Sequence, residues 1–130
     1  MGSRHISTVI GRSRDEVYAF AREPGNLPRW AAGLAQGEVA VAEDGAVVVD
    51  SPLGRVTVRF APRNEYGVLD HAVALPSGDV VDNPVRVLAH PDGAEVVFTI
   101  RQLDASDADL ERDAGLVAAD LARLKSLLEG

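Results

Sequence analysis

Three histidines, His5, His71 and His90, are the side chains in this sequence whose ordinary pKa allows proton exchange near neutrality, and no cysteine accompanies them. Thiolate nucleophiles, disulfides and thiolate zinc sites are therefore excluded. An imidazole beside an apolar hollow can promote enolisation or dehydration if nearby donors meet the developing oxyanion. Alternation of apolar residues sets His71 on the face of Leu69, Val73 and Leu75, whereas His5 falls on the N-terminal tail and His90 on an outer face. Histidines in three separate places make no iron or zinc site, so neither a metal nor another cofactor is expected. The remaining inward polar groups are Thr8 and Asn83, with Trp30, Tyr18 and Tyr66 at the rim. No nucleophile elbow, phosphate loop, zinc helix or calcium loop occurs. His71 also has a purely structural use, as a buried imidazole satisfied by a backbone carbonyl or by Asn83.

The elements that must position these residues read as α+β. A strand over residues 4–11 carries Ile6, Thr8 and Ile10 on one face and stops at Ser13-Arg14-Asp15-Glu16, a capping box that starts a helix burying Val17, Phe20 and Ala21. A second short helix follows, capped by Asn26, with Leu27, Trp30, Ala31 and Leu34 along one side. From Gly37 to Leu103, six strands alternate with turn signals and no helical stripe, which predicts an antiparallel meander. Ser106 then caps a long helix whose stripe is Leu110, Ala114, Val117, Leu121, Leu124 and Leu128. Its middle is thin, with Ala114, Gly115, Ala118, Ala119 and Ala122, and this suits either close contact with the sheet or a space beneath the helix.

Turn centres predict the register. A turn at Asp92-Gly93 pairs Val85, Val87 and Ala89 with Ile100, Phe98 and Val96 inside, and sets Arg86 beside Thr99 and His90 opposite Glu95 outside. A connection centred on Arg63-Asn64 pairs Val58 with Leu69. A loop at Ser77-Gly78-Asp79 sets Asp70 across from Arg86 and Val73 beside Asn83. Pro84, without an amide donor, belongs at an edge or a bulge.

At 130 residues the chain is expected to fold as one domain with a core that needs no staples. Its net charge of -7, with the cations scattered and not interleaved with aromatics, argues against a nucleic-acid partner. Arg55, Arg59, Arg86 and Arg101 read as a solvated outer face neutralised by Asp70, Asp82 and Glu95. No stretch reaches the roughly 18 apolar residues of a membrane span, and the start lacks a signal-peptide core, so a cytoplasmic location is expected.

A strand, two helices bearing Val17, Phe20 and Leu27-Pro28-Arg29-Trp30, a meander containing Pro62-Arg63-Asn64-Glu65-Tyr66-Gly67-Val68-Leu69-Asp70-His71, and one closing helix form a familiar order. It resembles the START-like superfamily (SRPBCC), in particular its small bacterial polyketide cyclase/dehydratase and lipid-transport group, along essentially the whole chain. The resemblance implies a helix-grip fold: a seven-stranded antiparallel sheet wrapped around the long C-terminal helix, two short helices after strand 1, and an apolar cavity between sheet and helix. The superfamily shares no catalytic motif, so no catalytic residue carries over. The expected wall is Val56, Val58, Phe60, Leu69, Val73, Val85, Val87, Phe98, Val117 and Leu121, with Trp30 at the entrance or anchoring its helix, and Thr8, His71 and Asn83 as polar contacts. Binding or transport of a small hydrophobic or aromatic molecule is the first expectation. The alternatives are a cyclase or dehydratase using His71 as acid or base, and a protein-interaction domain like the chaperone-activating members, for which a protein partner is expected instead.

Overall fold

The computed structural model describes residues 2–32 and 34–130. Strand β1 (Ser3–Ile10) leads into helix α1 (Arg14–Arg22), a 3-10 turn (Pro24–Asn26) and the short helix α2 (Leu27–Trp30). Strands β2 (Val39–Val41), β3 (Val47–Ser51), β4 (Gly54–Phe60), β5 (His71–Ala74), β6 (Val80–Asn83), β7 (Val85–His90) and β8 (Gly93–Arg101) follow, and helix α3 (Asp107–Glu129) closes the chain. Half of the predicted capping box forms: Ser13 Oγ accepts from the Glu16 amide at 3.2 Å, while the Glu16 carboxylate accepts from the Ser13 hydroxyl and not from the Ser13 backbone amide. Asn26 does not cap α2. Its backbone is already helical, and its amide donates instead to the Phe20 carbonyl at 3.1 Å, tying the end of α1 to the next turn.

The expected seven-stranded sheet is eight strands in two antiparallel sheets, ordered β1-β8-β7 and β2-β3-β4-β5-β6. Pro84 makes the division, since it cannot donate to a ladder and falls between β6 and β7. The next amide, Val85, is taken by the Asp70 carboxylate at 2.9 Å. Residues 67–69 hold the sheets together: Leu69 donates to the Val85 carbonyl at 2.9 Å and Val87 to the Gly67 carbonyl at 2.8 Å. Asp70 also binds Arg86 through two hydrogen bonds of 3.0 and 2.8 Å, which hold its carboxyl below the usual carboxylate range.

All three predicted registers slip by an even number of residues, so each strand keeps its faces and changes its partners. At β7–β8 the turn is Pro91-Asp92, and Val85 pairs with Phe98 and Val87 with Val96. Gly93 instead opens β8 against the end of β1, where only glycine fits, since a Cβ would come within 2.3 Å of the Ile10 carbonyl oxygen. Glu95 consequently faces Leu88, Arg86 faces Val97, and Thr99 faces His5. Between β4 and β5 the connection is a ten-residue loop organised by Asn64, whose side chain binds Pro62, Tyr66 and Val68, so Val58 pairs with Val73 and Phe60 with His71. Between β5 and β6, His71 pairs with Asn83 and Val73 with Val81.

Helix α3 starts at Ser106, whose hydroxyl accepts from the Asp109 amide, and buries Leu110, Ala114, Leu121 and Leu124. Of the small residues in its middle, Gly115, Ala118, Ala119 and Ala122 face outward, because helical phase turns them away from the stripe, and only Ala114 thins the buried side. The helix is fastened along β1. Arg4 pairs with Glu111 near its start; Lys125 donates to the Val9 carbonyl at 2.6 Å and Glu129 accepts from the Gly11 amide at 2.7 Å near its end. Its packing partners are β1, β8 and α2. Resting on the three-stranded sheet, α3 stands away from β4, β5 and β6.

Candidate functional site: a cavity beside the last helix

The separation of α3 from the five-stranded sheet leaves a cavity of about 740 Å³. Of the sequence-predicted residues, Trp30, Phe60, His71, Val73, Asn83, Phe98, Val117 and Leu121 line it. Val56, Val58, Leu69, Val85 and Val87 share the inward face but lie in the closed core, none more than 2 % exposed. Thr8 is half-buried on β1 opposite Val96, on the side where α3 is fastened down. Alternation fixes which face these residues occupy, whereas the filling of each strand end depends on where α1 and α3 pack. Tyr18 and Tyr66 do not form the rim: the Tyr18 hydroxyl accepts from the Asn64 amide at 3.0 Å, and Tyr66 is exposed.

The apolar part of the mouth consists of residues the sequence reading did not assign. Leu53, Val80, Leu103 and Leu116 line it and are 72 %, 60 %, 54 % and 52 % exposed, an apolar collar at the opening. Leu103, with φ 51°, is the one non-glycine residue of positive φ among the described residues, a backbone state that costs leucine roughly 1–2 kcal/mol. Arg101 belongs to this mouth, with Asp82 and Asp113, and not to the outer arginine face. On that outer face Arg55 pairs with Asp50 and Arg59 with Asp44. Apolar residues two positions past a strand end, Leu53 and Leu103, and Leu116 beside the stripe were the available signals.

His71 is the polar centre, 9 % exposed. Its Nδ1 lies 3.1 Å from the Leu69 carbonyl oxygen, which only accepts, so Nδ1 carries the proton and Nε2 of the neutral ring carries the lone pair. Phe60 and Phe98 flank the imidazole, with centroids 5.3 and 5.9 Å away. Burial pushes its pKa down, against smaller opposing effects of the Leu69 hydrogen bond and Asp70. A shallower outer cleft of about 340 Å³, bordered by Arg59, Asp70, Asp82 and Pro84 where the sheets part, also reaches His71, Phe60 and Asn83. The Trp30 indole N–H is the one sealed side-chain polar atom without a partner among the described residues. His5 lies within β1 and shares a hydrogen bond with Thr99, and His90 Nδ1 accepts from the Asp92 amide in the β7–β8 turn. Among the described residues, no group of three or more His, Cys, Asp or Glu could hold a metal ion, and no helix is long and apolar enough to cross a membrane.

The depressed His71 pKa has a signed consequence. Unfolded, the imidazole takes up a proton near pH 6.5; folded, it does so only at lower pH, so acidification favours the unfolded chain. Stability is expected to be undiminished above about pH 6.5 and to decline below it until the folded value is passed. The loss from Asp70, also depressed, begins only in the carboxylate range. Urea unfolding between pH 7 and 5 should show the decline in the natural chain and a flatter profile in His71→Phe; equal slopes would contradict the burial argument.

The two parted antiparallel sheets, the paired N-terminal helices and the long closing helix constitute a START-like helix-grip fold. Among solved structures, the Aha1 dimer from Colwellia psychrerythraea matches with a TM-score of 0.79 at 14% identity, over 99% of this chain and 97% of that one. An uncharacterised protein from Bacillus thuringiensis matches with a TM-score of 0.76 at 15% identity, over 98% of each chain. DynU16, from the dynemicin biosynthetic locus, matches with a TM-score of 0.76 at 11% identity, over 98% of this chain but 47% of its own. At these identities the likeness is one of fold. No family model matches the sequence, and no curated protein matches it.

Proposed function

We propose that the chain holds a small apolar or aromatic molecule in the cavity beside α3, acting as one binding unit. The observation that carries this reading is the cavity itself, walled by Trp30, Phe60, Phe98, Val117 and Leu121 and continued outward by the collar. At about 25 cal/mol per Å², burying roughly 300 Å² of ligand contributes about 7 kcal/mol before association costs, enough for micromolar affinity without a charged anchor. Trp30 is the single tryptophan and borders the space, so its emission reports occupancy. Titration with the neutral dye N-phenyl-1-naphthylamine should give saturable one-to-one quenching, lost in Val73→Trp by occlusion when measured through the dye. Unsaturable dye binding, or binding indifferent to that substitution, would remove the proposal.

A second reading is favoured by one feature: an unprotonated Nε2 facing open space, with the Asn83 side chain on the directly paired residue. Such a base and donor are the minimum for cyclase- or dehydratase-type proton transfer. On that reading, turnover of a polyketide-like substrate falls by orders of magnitude in His71→Ala, while dye binding persists.

A further inference from the structure

The hydrogen bond from Nδ1 to Leu69 leaves the other imidazole nitrogen with a role that bears on what the cavity accepts. Nε2 makes no hydrogen bond to any described residue, yet it is not among the sealed orphan atoms, so it opens onto space. The ring borders two spaces, the cavity and the outer cleft. Phe60 and Phe98 cover its sides with carbon and offer it no donor.

We infer that His71 Nε2 is a fixed hydrogen-bond acceptor serving the cavity, and that it selects neutral ligands in which a hydroxyl group, phenolic or alcoholic, is attached to an apolar body. This rests on the ligand-holding reading above. A hydroxyl donates to Nε2 and replaces whatever water satisfied it, whereas an ether, ester or ketone of the same shape presents only lone pairs and leaves the nitrogen unsatisfied. Asn83, the paired residue on β6, has a side-chain amide that both donates and accepts, so it tolerates either ligand and adds no discrimination. Discrimination therefore lies with the imidazole. The protonated ring would instead donate, but burial among carbon keeps the proton off at neutral pH. Carboxylate ligands are opposed by the lone pair, and at the mouth Asp82 and Asp113 outnumber the one cation, Arg101.

The test compares 2-naphthol with 2-methoxynaphthalene, which differ by a methyl group in place of the hydroxyl proton, on the natural chain and on His71→Phe at pH 7.5. The ratio of their dissociation constants is expected to favour naphthol about tenfold more in the natural chain than in the variant. Should the variant fold poorly, the ¹⁵N resonance of His71 Nε2 in the natural chain answers the same question: it should shift toward a hydrogen-bonded position with naphthol and not with its methyl ether. An unchanged ratio, or an unmoved resonance at saturating naphthol, would overturn the inference and leave the cavity as an unselective apolar site. If neither compound binds, the ligand-holding reading fails, and the inference with it.

Discussion

Gly67→Ala is expected to cost the fold about 3 kcal/mol or more. Gly67 has φ 74°, and a Cβ there would sit 2.1 Å from the Val87 carbonyl oxygen and 3.1 Å from its carbon. Both atoms are backbone, so no side chain can swing aside. The close approach lets residues 67–69 hydrogen-bond to β7 and thereby join the two sheets, with His71 four residues farther along the same passage. Gly78 is the proper comparison: its φ is 94°, but nothing lies within 4 Å of the added carbon. Gly78→Ala therefore carries only the conformational penalty, about 1 kcal/mol. Urea midpoints of the two variants separate backbone crowding from left-handed strain, and equal midpoints would mean that the sheet junction yields without cost.

Leu124→Ala should rank next, at about 3 kcal/mol, because the side chain is fully buried and its loss leaves a void that a close-packed core closes only in part. Leu116, two turns earlier on the same helix, provides the contrast. It is half-exposed at the mouth, so Leu116→Ser should change stability by no more than about 0.5 kcal/mol. The same substitution should weaken dye binding several-fold, since a polar group then replaces part of the collar. Thermal or chemical unfolding paired with dye titration reads both effects; a Leu116→Ser protein that loses stability as Leu124→Ala does would place the collar in the core.

Much of the fold could be read without coordinates because it depends on local periodicity. The stripe from Leu110 to Leu128 sets the buried side of α3, the Ser13 and Ser106 hydroxyls set two helix starts, and alternation sets His71 inward. The pairings were not readable to the same degree. Turn chemistry at Asp92-Gly93 points to one register, while the actual register sets Gly93 inside β8 against Ile10 of β1, 83 residues away in sequence. Pro84 was visible as an interruption, but an absent amide donor cannot say whether a strand merely bulges or the sheet divides.

The amino-acid order by itself determined the succession of a strand, two helices, a run of strands and a closing helix, the inner face of most strands and the presence of one inward imidazole, consequences of periods of two and 3.6 along the chain, but neither the eighth strand nor the place of Arg101 at the mouth. Tertiary structure alone decided where the cavity lies and which residues reach it. The long-range ties from Arg4, Val9 and Gly11 to Glu111, Lys125 and Glu129 seat α3 on the three-stranded sheet. That seating closes the core over Val56, Val58, Leu69, Val85 and Val87, and it leaves Phe60, His71, Val73 and Asn83 facing open space. The inner sides of β4, from Val56 to Phe60, and β8, from Ala94 to Ile100, are apolar from end to end, so on these strands only the position of the helix can distinguish the filled end from the empty one.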